Sequence, residues 1–178
     1  MTSFVNLVLD SLTISQTYLR VSFVSYGNTA SVQFRLSEYN DREAAKRRIT
    51  GISYIGHSTN NLADALNALR NQVFQSSAGA RSMTPWVAVI VTDRSPTVPS
   101  QQTVSAANQA RAAGIQIIPV GVSISGQLNR NILNQIAYRQ ERVTIVSDYS
   151  QLSGIASQIA GWICNSHLGE WDYASIWV

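Results

Sequence analysis

The sequence predicts an α/β fold in the Rossmann-like manner: a doubly wound, mostly parallel sheet with one antiparallel hairpin strand and helices on both faces. Three observations carry that expectation. "WVAVIV" (Trp86 to Val91) and "IQIIPVGV" (Ile115 to Val122) are short runs with almost no polar alternation, the pattern of strands covered on both faces. From Trp86 onward such runs alternate with stretches of helical periodicity, the order that a parallel sheet with crossover helices requires. A length of 178 residues with 45% hydrophobic content suffices for one domain that buries a two-sided sheet.

Each element follows in order. Phe4, Leu7, Val8 and Leu12 recur at helical spacing, so the sequence opens in a helix. "RVSFVSYGNTASVQFRL" reads as a strand, a tight turn at Gly27-Asn28 and a second strand, which is a hairpin. Asn40 with Glu43 three residues on is a capping-box arrangement for a short helix over "NDREAAKRRITGI". Leu62, Leu66, Leu69 and Val73 stripe the next helix, and the polar loop "QSSAGARSMTP" leads into the Trp86 strand. "QQTVSAANQARAAG" is a helix closed by Gly114, followed by the Ile115 strand. Leu128, Ile132 and Ile136 mark a helix, "VTIV" a short strand, and Leu152, Ile155, Ile159 and Ile163 the last helix. "CNSHLGEWDYASIWV" falls outside this rhythm.

Composition removes several function classes. No apolar run approaches the roughly 18 residues of a membrane helix, and "MTSFVNLVLD" lacks the basic start and cleavage site of a signal peptide. The formal charge of +3 comes from scattered arginines, with Lys46 the only lysine. Their one cluster, "DREAAKRR", reads as a solvated helix face, and without interleaved aromatics it does not suggest nucleic acid. Cys164 is the only cysteine, which excludes an internal disulfide and a cysteine-rich metal site. "GISYIG" has its second glycine one residue too late for a nucleophile elbow, and no phosphate loop or G-x-G-x-x-G occurs. His57 reads as a loop residue bonding locally and His167 as a solvated one, so catalysis is not expected.

In an open parallel sheet, ligands bind beyond the carboxyl ends of the strands. Asp93 stands at such an end, in "VTDRSPT", and a carboxylate there needs a positive or donating neighbour because burying it alone costs several kcal/mol. "GHSTNNLADAL" carries His57, Ser58, Thr59, Asn60 and Asn61 before the Leu62 helix. A hydroxyl and a carboxylate at one sheet edge are hard oxygen ligands of the type that suits Mg²⁺, Mn²⁺ or Ca²⁺. From spacing alone, a plain helix cap at Thr59 or Asn60 and a plain turn cap at Asp93 rank ahead of a metal site.

"ISYIGHSTNNLADALNAL" and "WVAVIVTDRSPT", with "RVSFVSYGNTASVQFRLSEY", "ARAAGIQIIPVGV" and "TIVSDYSQL" in the same order, resemble the von Willebrand factor A domain, related to the integrin inserted domain. The resemblance runs from the first helix to Cys164. It implies an adhesion module of an extracellular, secreted matrix or cell-surface protein, with collagen or another matrix protein as partner and sister A domains alongside. It also implies a divalent ion, Mg²⁺ or Mn²⁺, held by an Asp-x-Ser-x-Ser motif after the first strand, by the threonine matching Thr59 and by the aspartate matching Asp93, and bridging to a partner's carboxylate. The partner-facing loops would then hold His57, Ser58, Asn60, Asn61, Arg94 and Ser95. The printed sequence opens within the helix that follows that motif, so the site is incomplete and metal binding is expected to be weak or absent. Arg94 stands where the family commonly has glycine, placed to pair with Asp93 against a metal or to reach a ligand. Matrix members of the family often close a disulfide across the two ends of the domain, which implies for Cys164 a partner outside the chain. The alternatives to a metal-assisted module are a metal-independent assembly domain of the same fold and, more weakly, a small α/β enzyme.

The domain is expected over residues 1–164. In the family the first strand is central, between the strands at Val21 and Trp86, and without it a slot roughly two strand spacings wide, about 9.6 Å, would leave backbone groups unpaired. Residues 165–178 end in "YASIWV", rich in β-formers. They read either as the first strand of a following domain or as a strand that fills this slot, from the same chain or a neighbouring one.

Overall fold

The computed structural model describes residues 2–53, 59–124 and 126–165, and the backbone of 175–177. Its chain order is α1 (Thr2–Asp10), β1 (Arg20–Tyr26), β2 (Ala30–Phe34), α2 (Arg42–Thr50), α3 (Leu62–Ala68), β3 (Trp86–Thr92), α4 (Ser100–Ala112), β4 (Ile115–Val122), α5 (Arg130–Ile136), β5 (Thr144–Val146), α6 (Leu152–Cys164) and β6 (Ser175–Trp177). The strands form one sheet in the order β2-β1-β6-β3-β4-β5, in which only β1 and β2 run antiparallel. This is the doubly wound α/β architecture with one hairpin strand.

Strand β3 shows why a continuous apolar run was required. Side chains alternate faces along a strand, and Val87, Val89 and Val91 pack into a layer with Val5, Val8 and Leu9 of α1 and Ile159 and Ile163 of α6. Ala88 and Ile90 face the other way, onto Leu62 and Leu66 of α3, Ala107 of α4 and Leu133 of α5. Both faces are dry, so a polar residue at any of these positions would lose hydrogen bonds to water without replacement. Strand β4 repeats the division, with Ile118, Val120 and Val122 on the α1/α6 side and Ile115 and Ile117 on the other.

Two local expectations are corrected. Leu7, counted in the first apolar stripe, is 40% exposed, and the buried face of α1 is Phe4, Val5, Val8 and Leu9. The cap of α2 is Asp41, whose carboxylate accepts from the Ala44 N–H, and not Asn40. This places Ala44, which has no side-chain acceptor, three residues after the cap, so no capping box closes. Glu43 instead lies beside Arg42 and Lys46. The hairpin loop spans Gly27 to Thr29 and is closed by a Gly27 N–H to Thr29 carbonyl bond of 3.1 Å.

Ser175–Trp177 lies between β1 and β3, parallel to both: Arg20, Val21 and Ser22 on one side and Trp86, Val87 and Ala88 on the other pair with Ser175, Ile176 and Trp177. β1 and β3 each continue four residues past that ladder. At their far ends the Tyr26 hydroxyl crosses the gap and donates to the Val91 carbonyl at 3.1 Å.

Candidate functional site

Three loops meet beyond the carboxyl ends of the parallel strands. Asp93 and Arg94 follow β3, Thr59 to Asn61 precede α3, and Tyr149 opens a short 3₁₀ turn after β5. Asp93 has both carboxylate oxygens engaged: Arg94 Nε lies 3.2 Å from Oδ1, and the Tyr149 hydroxyl donates to Oδ2 at 3.0 Å. Tyr149 is held in place by the residue before it. Asp148 caps the turn by accepting from the Ser150 N–H at 2.7 Å, and hydrogen bonds from the Ser150 hydroxyl and N–H hold its carboxyl below the usual carboxylate range.

Asn60 ties the loops together. Its amide nitrogen donates to Thr92 Oγ1 at 2.8 Å and to the Arg94 carbonyl at 2.9 Å. Its backbone N–H reaches Thr97 Oγ1 at 3.0 Å, and its carbonyl accepts from the Thr97 N–H at 2.9 Å. Asn60 is therefore buried, at 5% exposure, and does not stand on a partner-facing surface as expected. Its remaining side-chain oxygen, Oδ1, is buried without a hydrogen-bond partner among the described residues.

The neighbouring residues are also built into the fold. Asn61 is the cap of α3, accepting from the Asp64 N–H at 3.1 Å, so the cap falls on neither Thr59 nor Asn60. Its Nδ2 donates to the Asn28 carbonyl and its N–H to the Gly27 carbonyl, which docks the tip of the hairpin on this loop. Ser95 bridges to the loop before α5: its hydroxyl donates to the Gln127 carbonyl at 2.7 Å and accepts from the Asn129 N–H at 2.7 Å. The polar atoms of Asn61 and Ser95 thus serve internal contacts, and Arg94 is the expected partner-facing residue whose guanidinium remains at the rim, with its side chain 36% exposed. His57 and Ser58 lie outside the described residues. Cys164, at the end of α6, is an exposed free thiol whose pKa is raised by partial burial.

Sequence reasoning assigned no role at this site to Tyr149 or Tyr26, and placed Asn28 only in the hairpin turn. The rule that ligands gather at strand carboxyl ends would have singled out Tyr149, three residues after Val146 at the end of β5. Burial pushes the Tyr26 phenol up to about 12, against a hydrogen bond to Thr92 that lowers it and the Asp93 carboxylate that raises it further.

The described residues do not fit the divalent ion that the resemblance implies. Thr59 Oγ1 donates to Asn28 Oδ1 and each oxygen of Asp93 already accepts from Arg94 or Tyr149, so a metal would have to compete with these contacts. Among the described residues no group of three His, Cys, Asp or Glu side chains could hold a metal. Mg²⁺ demands near-octahedral oxygen coordination, which these groups do not supply.

A family model, the von Willebrand factor type A domain, matches residues 1–158. Matrilin-3 from Mus musculus is 31% identical over 168 residues, covering 91% of this chain and 33% of the relative. The collagen alpha-5(VI) chain of Mus musculus is 26% identical over 91% of this chain and 6% of its own length. The chain thus spans about a third of matrilin-3 and a small part of the collagen chain. Among solved structures, proximal thread matrix protein 1 from the mussel byssus superposes with a TM-score of 0.84 at 19% identity, over 90% of this chain and 41% of that one. The manganese-loaded TRAP protein of Plasmodium vivax does so at 0.70 and 15%, over 86% and 62%. With the family model matching residues 1–158, most of its length, this chain belongs to the von Willebrand factor type A domain family.

Proposed function

We propose that this chain is a protein-binding module of the extracellular matrix that engages its partner, collagen or another matrix protein, without a bridging metal. Its relatives by sequence, a matrilin and a collagen VI chain, support the matrix setting. The observation that carries the metal-independent reading is the double engagement of Asp93 by Arg94 and Tyr149. In the intact family a cation beside this aspartate attracts a partner's carboxylate. Here a guanidinium occupies that neighbourhood, and its planar fork suits a carboxylate with two parallel hydrogen bonds. Catalysis forms no part of this reading.

Two measurements test it. Thermal unfolding in 1 mM Mg²⁺ or Mn²⁺ and in EDTA should give the same midpoint. A site with a dissociation constant of about 10 μM would instead add roughly 2.7 kcal/mol, which is several degrees for a domain of this size. Binding to immobilised collagen should be unaffected by EDTA and about tenfold weaker in Arg94→Ala. A loss of binding in EDTA would overturn the metal-independent reading. Absence of binding to collagen would move the partner to another matrix protein.

A further inference from the structure

We propose that the gap between β1 and β3 is a strand-acceptor site, and that a second copy of this chain can fill it with its own Ser175–Trp177 segment, linking two molecules by reciprocal strand exchange. The segment lies beyond the residues matched by the family model, yet it pairs on both sides with strands remote in sequence, Arg20–Ser22 and Trp86–Ala88. With the segment in place Val21, Ser22, Val87 and Ala88 are fully buried, and vacating the gap would strip the ladder partners from two rows of backbone groups at once. The gap therefore selects an occupant, and the requirement is backbone geometry, an extended segment parallel to both neighbours.

Three features make that occupant exchangeable. The ladder is three residues long against neighbours of seven, so few hydrogen bonds hold it. The segment is attached on its N-terminal side to α6, and ten residues separate Cys164 from Ser175, a reach of up to about 35 Å when extended. Delivered by a second copy, the segment forms the same two ladders, so the balance between the two routes is set by effective concentration alone, roughly millimolar for a short connection. Self-association by this route should then emerge toward millimolar protein.

The register supplies the test, because Val21 and Ile176 are directly paired. In a Cys164→Ser background, one preparation carries Val21→Cys, a second Ile176→Cys and a third both, each in the full chain. Under mild oxidation the double variant should close within one chain, and an equimolar mixture of the single variants near 1 mM should give a disulfide-linked heterodimer. Its yield should rise with protein concentration and fall at least twofold in excess peptide spanning Asp172 to Val178. Closure of the double variant without heterodimer from the mixture would overturn the exchange. Failure of the double variant to close, with folding intact by circular dichroism, would overturn the acceptor site itself.

Discussion

Replacing Asn60 separates the hydrogen bonds of this residue from its burial. Asn60→Ala removes two donations from Nδ2, to Thr92 Oγ1 and to the Arg94 carbonyl, each worth about 1 kcal/mol net. The loss is softened in two ways. Thr92 Oγ1 still donates to the Arg94 carbonyl at 2.8 Å, and the substitution also deletes Oδ1, a buried acceptor with no partner among the described residues, whose desolvation costs about 1 kcal/mol or more. The net destabilisation should be about 1 kcal/mol. Asn60→Asp keeps the shape but turns both donations into a carboxylate facing two oxygens, one of them buried with it, and should cost about 3 kcal/mol or more. In urea, with a slope of about 2 kcal/mol per molar, the midpoints should fall by roughly 0.5 M for Ala and 1.5 M for Asp. Burial raises the folded-state pKa of the new aspartate above its unfolded value of about 3.9, so the neutral form is the stabilised one. The variant's deficit should therefore be small near pH 4 and grow as pH rises through the folded value. An Asp variant as stable as the Ala variant at pH 7, or a deficit that does not change with pH, would refute the assignment of Nδ2 as the donor in both contacts.

Two further outcomes follow from other positions. Because the Tyr26 phenol is raised from 10.0 to about 12, the stability it contributes is complete below pH 10 and is lost as pH climbs toward 12, a loss on the order of 3 kcal/mol that should be missing from the alkaline stability profile of Tyr26→Phe. Gly79 (φ +97°) and Gly114 (φ +90°) both sit in the left-handed region, where alanine costs about 1–2 kcal/mol. At Gly79, however, a Cβ would lie 2.7 Å from the backbone nitrogen of Ser37, whereas at Gly114 it would meet nothing within 4 Å. Gly79→Ala should therefore lower the unfolding midpoint clearly more than Gly114→Ala, and equal effects would argue against this packing.

What could be read in the sequence was what burial writes into it locally. β3 and β4 were legible because strands covered on both faces have no room for polar alternation, and α6 because its apolar stripe is unbroken from Leu152 to Ile163. The face of α1 was ambiguous, since "FVNLVL" contains two overlapping stripes and only the position of α6 decides that Val5 and Leu9, and not Leu7, turn inward. The cap of α2 was ambiguous for a similar reason: Asn40 and Asp41 are both good caps, and the backbone at Asp41 selects it. The role of Asn60 could not be read at all, because it depends on Thr92 and Arg94, more than thirty residues away in sequence. Asp93 was found at a strand end, but its second partner, Tyr149, comes from a turn 56 positions later.

The stitching of the loops by Asn60, Thr97 and Ser95 bears on the thermodynamics of association. A loop that orders only on contact takes its conformational entropy out of the binding free energy, at about 0.5–1.5 kcal/mol for each rotamer-rich side chain fixed and more for backbone. Between Asp93 and Thr97 much of that ordering is already done, by hydrogen bonds to the loop before α3 on one side and the loop before α5 on the other. A partner meeting this end of the sheet would dock against a surface that has little left to lose, so its calorimetric signature should carry a small entropic penalty.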